Sequence, residues 1–134
     1  LDAYQIGAYV RLVMAQRLVR VLCPRCRERR APGPETVRWL EALGRDVPEA
    51  VWHPVGCPEC SGIGYEGRTG IFEVWQLEDD DLGLLLEGGG DRALRRHLAA
   101  KGHRFLQDEG LRKAEPGITT HDELRSRNRV WAAA

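Results

Sequence analysis

Two Cys-x-x-Cys pairs, one strand-like segment and a series of capped helical patterns together predict an α+β fold that is mostly helical. The pairs, Cys23/Cys26 and Cys57/Cys60, indicate a small zinc-knuckle subdomain. Residues 69–77 are rich in Ile, Phe, Val and Trp, and they predict one strand of a β-hairpin in that subdomain. Helical patterns follow from residue 79, so a C-terminal helical region completes the predicted fold.

The composition of the 134-residue chain restricts its class of function. The 20 basic and 20 acidic side chains balance to a net charge of zero, which argues against bulk nucleic-acid binding, since that usually needs a basic surplus. No apolar run approaches the roughly 18 residues of a membrane span, and no segment resembles a signal peptide. We therefore expect a cytoplasmic protein. The chain begins Leu-Asp-Ala without an initiator methionine, so we also expect an excised part of a longer protein.

Residues 4–22 carry apolar side chains at spacings of three and four, which is typical of one helical face. The pattern predicts a helix over this whole range, truncated from a larger domain. Apolar residues on a second side imply burial on more than one face, more than a short chain readily achieves alone. The first face contains Ile6, Val10, Val13, Met14, Leu18 and Val21, and the second contains Leu12, Val19 and Leu22.

The segment between and after the cysteine pairs predicts one short helix and the hairpin. Pro34 suits the first turn of a helix, where its missing N–H costs nothing, and Gly44 stands where helices commonly end. Residues 51–55 predict a short strand. We expect this strand to pair with residues 69–77 across the glycine-rich turn at 61–67.

The sequence from residue 79 predicts four helices separated by glycine or proline stops. Thr120 and Glu123 form a capping box for the last of them. The helices begin at Asp79, Asp91, about Arg104 and Asp122, and they end before Gly88, at Gly102, at about Ala114 and at about Asn128.

The four cysteines have the pattern of a structural zinc site. Each Cys-x-x-Cys turn supplies two thiolates, so Cys23, Cys26, Cys57 and Cys60 give the tetrahedral set that zinc prefers. Proline stiffens both turns, and the glycines at 62 and 64 permit positive φ after the second. Such a site is closed to water and substrate, so we predict one structural zinc per chain and no catalytic residue.

Two alternatives for the cysteines remain open at this stage. They could be buried thiols without a ligand, or one pair could perform redox chemistry, although redox motifs favour a lone pair beside a βαβ unit. A four-thiolate zinc centre has a formal charge near minus two, and Arg20, Arg25 and Arg27 are close enough in sequence to offset it. His53 is near Cys57 and could contact the site, but a packing or surface role is more typical.

No other motif supplies a catalytic or nucleotide-binding site. The chain has no nucleophile elbow and no H-E-x-x-H sequence. Gly88–Gly90 lacks the Lys-Ser/Thr pair of a phosphate-binding loop, so it predicts a helix stop.

Several blocks of sequence resemble the secretion ATPases of type II secretion and type IV pilus assembly. These are AQRLVR at 15–20, LCPxC at 22–26, GCPxC at 56–60, GYxGRTGIFE at 64–73, EGLRK at 109–113 and GITT at 117–120. Their order and spacing resemble that family nearly from end to end.

The resemblance implies the C-terminal part of a hexameric, cytoplasmic ATPase that acts at the bacterial inner membrane. Residues 1–22 would end its RecA-like core, residues 23–77 would form its tetracysteine metal subdomain, and residues 78–134 its helical C-terminal region. The Walker A and Walker B motifs, with ATP and magnesium, would lie upstream. This chain contains neither motif and should not hydrolyse ATP alone.

The resemblance also implies partners: other copies of the ATPase and inner-membrane platform or assembly proteins. Arg27, Arg29 and Arg30 follow the first cysteine pair, and they could bind acidic partner loops or anionic lipid. Two other interpretations remain. The chain could be a client-binding module, because Cys57-x-x-Cys60-x-Gly62-x-Gly64 also resembles the zinc repeats of J-type chaperones, or a stand-alone zinc adaptor.

Overall fold

The computed structural model describes residues 3–127 and gives a mixed α+β fold rich in helix, which confirms the predicted fold class. Among these residues, one 3-10 turn, Pro58–Cys60, precedes the last described strand. The described strands are β1 (Leu12–Leu22), β2 (Glu28–Arg30), β3 (Val51–His53) and β4 (Tyr65–Gln76). The described helices are α1 (Ala3–Tyr9), α2 (Pro34–Ala42), α3 (Asp79–Leu86), α4 (Asp91–Ala100), α5 (Leu106–Ala114) and α6 (His121–Arg127). None of them is long and apolar enough to cross a membrane.

The prediction of one helix over residues 4–22 is wrong beyond Tyr9. Helix α1 ends there, and residues 12–22 form strand β1 instead. Valines at 13, 19 and 21 favour a strand because β-branched side chains fit a pleated surface. The helix-like spacing arose because β1 has apolar residues on both of its faces.

The predicted hairpin between residues 51–55 and 69–77 is also wrong in its pairing. Strand β4 pairs antiparallel with β1, from Leu12 opposite Gln76 to Arg20 opposite Arg68. The short strand β3 pairs with β2 in a separate two-stranded sheet. Strands β1 and β4 are more than forty residues apart, so no short turn joins them. Their pairing therefore has no local sequence pattern from which it could be predicted.

One face of the β1–β4 sheet packs on helices α5 and α6. Val19 and Ile71, which are 1% and 3% exposed, lie in a core with Leu106, Ala114 and Leu124. The opposite face is largely apolar but exposed to solvent. On it Met14 of β1 pairs with Val74 of β4, and Phe72 lies two residues before Val74 on the same strand. The exposed apolar residues of that face are Leu12, Met14, Leu18, Phe72 and Val74, at 45–58% exposure.

The predicted helices after residue 30 are confirmed with small changes of boundary. Helix α2 starts at Pro34, and Gly44 beyond it has a positive φ of 65°. The helix predicted from about Arg104 begins at Leu106. The last helix is described to Arg127, so its predicted end at Asn128 lies outside the described residues.

Candidate metal centre

Strand ends bring the two cysteine pairs together. Cys23 directly follows the last residue of β1, and Cys26 lies in the turn before β2. Cys57 follows β3, and Cys60 ends the 3-10 turn. We call residues 23–26 the first knuckle and residues 57–60 the second knuckle.

The four cysteine sulfurs have the separations of a tetrahedral metal site. The Sγ atoms of Cys23 and Cys57 are 3.8 Å apart, as are those of Cys26 and Cys60, and Cys57 and Cys60 are 3.6 Å apart. All four lie within 4.8 Å of one another. A tetrahedron with zinc–sulfur bonds of about 2.3 Å has sulfur–sulfur edges of about 3.8 Å, whereas a disulfide bond measures about 2.05 Å. All four are free thiols, and their spacing fits a bound metal ion.

Backbone N–H groups donate to the sulfurs of both knuckles. The N–H of Gly56 donates to Cys26 Sγ at 3.2 Å, and the N–H groups of Cys57 and Gly64 donate to Cys60 Sγ at 3.2 and 3.1 Å. Burial opposes ionisation of Cys60, but these two donors and the neighbouring thiols lower its pKa to about 6. Burial raises the pKa of Cys26. Metal ligation requires thiolates, so N–H donors aimed at sulfur favour it.

Two glycines make the second knuckle sterically possible. Gly56 and Gly64 have φ of 100° and 78°, in the region that L-residues with side chains avoid. A Cβ atom on Gly64 would lie 2.5 Å from Cβ of Pro54, and one on Gly56 would lie 2.5 Å from the carbonyl oxygen of Gly62. Gly62 has a φ of 76°, so the prediction of positive φ at the glycines at 62 and 64 is confirmed.

The end of the β1–β4 sheet joins the two knuckles. Leu22 pairs with Tyr65, and the N–H of Cys23 donates to the carbonyl oxygen of Gly64 at 3.0 Å. The sheet therefore fixes the position of Cys23 relative to the loop that carries Cys60.

The arginines near the first knuckle have partners within the chain. Arg25 forms an exposed ion pair at 3.5 Å with Glu59, which lies in the second knuckle. Arg27 donates to the carbonyl oxygen of Gly117 at 2.5 Å and lies 4.5 Å from the ring centre of Trp52. Arg20 binds Glu123 instead of facing the sulfurs. All three arginines predicted to offset the site's charge thus have other partners, and Arg25 is the one whose partner belongs to a knuckle.

The Arg20–Glu123 pair was not predicted from the sequence. Arg20 Nε and Nη2 donate to Glu123 Oε2 at 2.8 and 2.6 Å, and the Arg20 backbone N–H donates to Oε1 at 3.2 Å. The capping box gave part of the signal: the N–H of Glu123 donates to Thr120 Oγ1 at 2.9 Å, as expected. The carboxylate, however, is used to bind Arg20 of β1.

The histidines do not join the cysteine group. His53 lies on β3, and the cluster that could hold a metal contains the four cysteines alone among the described residues. A second cluster, Asp80, Asp81 and His97, already contains a cation, because Lys101 Nζ lies 3.1 Å from Asp81 Oδ1. We interpret this second cluster as a compensated charge network.

The chain belongs to the type II/IV secretion system protein family, whose sequence pattern matches residues 1–126. It is 33% identical over 124 residues to the type II secretion system ATPase E of Vibrio cholerae, covering 92% of this chain and 24% of that protein. It is 33% identical over 127 residues to the type IV pilus assembly ATPase PilB of Thermus thermophilus, covering 94% of this chain and 14% of PilB. A type II secretion system protein E of Pseudomonas aeruginosa is 39% identical over 114 residues, covering 84% of this chain and 22% of that protein. The chain therefore spans a quarter or less of the length of these relatives, and the predicted family is confirmed.

Proposed function

We propose that this chain is the zinc-binding C-terminal region of an ATPase that powers type II protein secretion or type IV pilus assembly. The observation that carries the proposal is the four-sulfur cluster at the end of the β1–β4 sheet, in a chain of this family. Two of the relatives above are named as ATPases of those two systems.

Zinc is the metal that the donor set favours. Four thiolates with edges near 3.8 Å suit a tetrahedral ion, and soft sulfur ligands exclude calcium and magnesium. Cys23, Cys26, Cys57 and Cys60 would hold the ion. Because they would fill all four positions, the zinc would stabilise the fold and leave no site for a substrate.

ATP hydrolysis would belong to the longer protein. Phosphoryl transfer needs a phosphate-binding loop with a lysine and a magnesium ligand. Both lysines of this chain are bound elsewhere: Lys113 Nζ donates to the carbonyl oxygen of Gly70 at 2.6 Å, and Lys101 contacts Glu78, Asp80 and Asp81. The purified chain should release no phosphate from ATP above a blank without protein.

The division into a core end at 1–22, a metal subdomain at 23–77 and a helical region at 78–134 stays a prediction. The pairing of β1 with β4 supports a close mechanical link between the first two parts. In a hexamer at the cytoplasmic side of the inner membrane, the metal subdomain would thus move together with the end of the ATPase core.

We further propose that assembly partners bind near the first knuckle. Of the three arginines considered for acidic partner loops or lipid headgroups, Arg27 is held by Gly117 and Trp52. Arg29 and Arg30 are more exposed, although Arg30 pairs with Glu28 at 2.7 Å. Changing Arg29 and Arg30 together to glutamate should weaken binding to partner domains or anionic vesicles. The control variant, with Arg92 and Arg96 changed to glutamate, should bind as the unchanged chain does.

Metal analysis tests the central proposal. Native mass spectrometry of the purified chain should show one zinc per chain, lost on changing Cys57 to serine. Cobalt exchanged into the site should give the absorption of tetrahedral thiolate coordination. A metal-free chain with the same fold and the same resistance to denaturant would contradict the proposal.

A further inference from the structure

A cavity of about 770 Å³ lies between α2, β3 and α5, and none of the four cysteines lines it. Its size is within the roughly 300–1,000 Å³ typical of small-molecule sites. Its floor is apolar, because Leu40, Val51 and Ala114 are 2%, 3% and 0% exposed. Such a floor suits the apolar or aromatic body of a ligand.

The wall of the cavity has an excess of one positive charge. Arg104 forms no hydrogen bond or ion pair with any described residue. Arg45 pairs with Asp108, Arg29 donates to the Ala50 carbonyl oxygen at 3.2 Å, and the exposed Arg112 forms a long ion pair with Glu109 at 3.5 Å. Guanidinium groups bind carboxylate and phosphate in a planar fork. The small excess favours an anion of one or two charges over a polyphosphate. The wall carries the arginines Arg29, Arg45, Arg104 and Arg112 and the acids Asp46, Asp108 and Glu115.

A buried histidine on the same wall has an unused nitrogen. His121 is 6% exposed, and its Nδ1 has no hydrogen-bond partner among the described residues. Buried polar atoms without a partner are rare, because each has lost its hydrogen bonds to water without replacement. Burial lowers the pKa of His121, which favours the neutral ring, and a neutral imidazole has one N–H donor and adds no charge.

We propose that this cavity binds a small amphiphilic anion, a phosphate or carboxylate group attached to an apolar or aromatic body. Arg104 and Arg112 bind the anionic group, His121 supplies a neutral hydrogen bond, and the floor at Leu40 and Val51 receives the body. Two sources share this chemistry, a nucleoside monophosphate and a fatty carboxylate.

Calorimetry and NMR on the zinc-loaded chain, with adenosine monophosphate, octanoate and inorganic phosphate as separate probes, test the proposal. One of the first two should bind saturably and shift the ring nitrogen signals of His121. Changing Arg104 and Arg112 together to alanine should weaken that binding at least about tenfold. Binding of adenosine monophosphate would identify the nucleotide source, and binding of octanoate the acyl source.

The matched control changes Arg92 and Arg96 of α4, which are exposed and do not line the cavity. This variant keeps the same net charge as the test variant and should bind as the unchanged chain does. The proposal is overturned if neither amphiphilic probe binds at millimolar concentration. It is also overturned if both variants lose affinity equally, or if inorganic phosphate binds as well as the amphiphiles do.

Discussion

Glu123 of α6 is 1% exposed and accepts two guanidinium hydrogen bonds from Arg20 of β1, whose side chain is 40% exposed. Arg20 also lies 4.0 Å from the ring centre of Tyr65 on β4. A single ion pair therefore ties the last helix to both strands of the sheet. Its two members differ in access to water, which makes the consequences of removing them unequal.

Changing Arg20 to methionine should destabilise the chain more than changing Glu123 to glutamine. The first change removes both guanidinium hydrogen bonds and leaves the buried carboxylate with the backbone N–H of residue 20 at 3.2 Å and Arg127 at 3.3 Å, at a cost of about 3 kcal/mol. The second leaves an arginine that can reach water, so about 1–2 kcal/mol is expected. Urea denaturation of both variants and of the double variant measures this. Direct coupling would be contradicted if both single variants lost the same free energy of unfolding, or if the loss in the double variant equalled the sum of the two single losses.

Asp81 should make stability depend on pH well below neutrality. Burial opposes its ionisation, but the Glu78 N–H, the Trp75 indole, Lys101 and His97 lower its pKa from 3.8 to about 2. The unfolded chain thus binds this proton first, so the stabilisation is present above the unfolded pKa and is lost as pH falls through about 2. Relative to D81N, the unchanged chain should lose about 2 kcal/mol between pH 5 and pH 2. Denaturation of both proteins at each pH measures this difference. Metal release at low pH affects both proteins alike, so parallel curves of stability against pH would refute the prediction.

Removing the metal should unfold residues 23–77 while leaving helices α5 and α6 partly protected. Structural zinc typically contributes on the order of 10 kcal/mol, and the knuckle region has few buried apolar residues beyond Leu40 and Val51. Changing Cys57 to serine and following amide hydrogen exchange tests this. Changing Glu59 to glutamine is the control, because Glu59 lies between the proposed ligands Cys57 and Cys60 but is not itself a proposed ligand. Unchanged protection across residues 23–77 in the serine variant would show that the metal is dispensable.

Alanine at Gly64 should be much more costly than alanine at Gly67. Both glycines have positive φ, 78° and 71°, so the backbone strain is similar, about 1 kcal/mol. Only at Gly64 does the new Cβ meet a neighbour, Pro54 at 2.5 Å, while nothing lies within 4 Å of it at Gly67. The additional cost should be about 1–3 kcal/mol, with weaker zinc retention in competition with a chelator. Similar losses at both positions would mean that the loop moves freely to relieve the contact.

The parts of the fold that the sequence predicts well are those with local causes. Pro34 and Gly44 mark helix ends through their own backbone chemistry, Asp91 favours a helix start through its negative charge, and the cysteine pairs mark the site by their spacing. The sequence of β1 resembles a helix because Leu12, Met14 and Leu18 are apolar although they are exposed. The alternation of apolar and polar residues that marks a strand is therefore missing. Its partner strand lies beyond both knuckles, so neither the pairing nor the Arg20–Glu123 contact has a local signature.

The long-range pairing of β1 with β4 leads us to expect that the two knuckles form before the sheet closes. The sheet closes a loop from Leu22 to Tyr65, and both knuckles lie inside that loop beside its closing point. Before closure, the two cysteine pairs are separate two-thiolate sites, each able to take up an ion independently. Bringing distant strands together is slow compared with forming local turns. If the four thiols bind zinc as proposed, a chain that folds in excess metal would load two ions and would have to release one before the sheet completes, so refolding should slow as the zinc concentration rises.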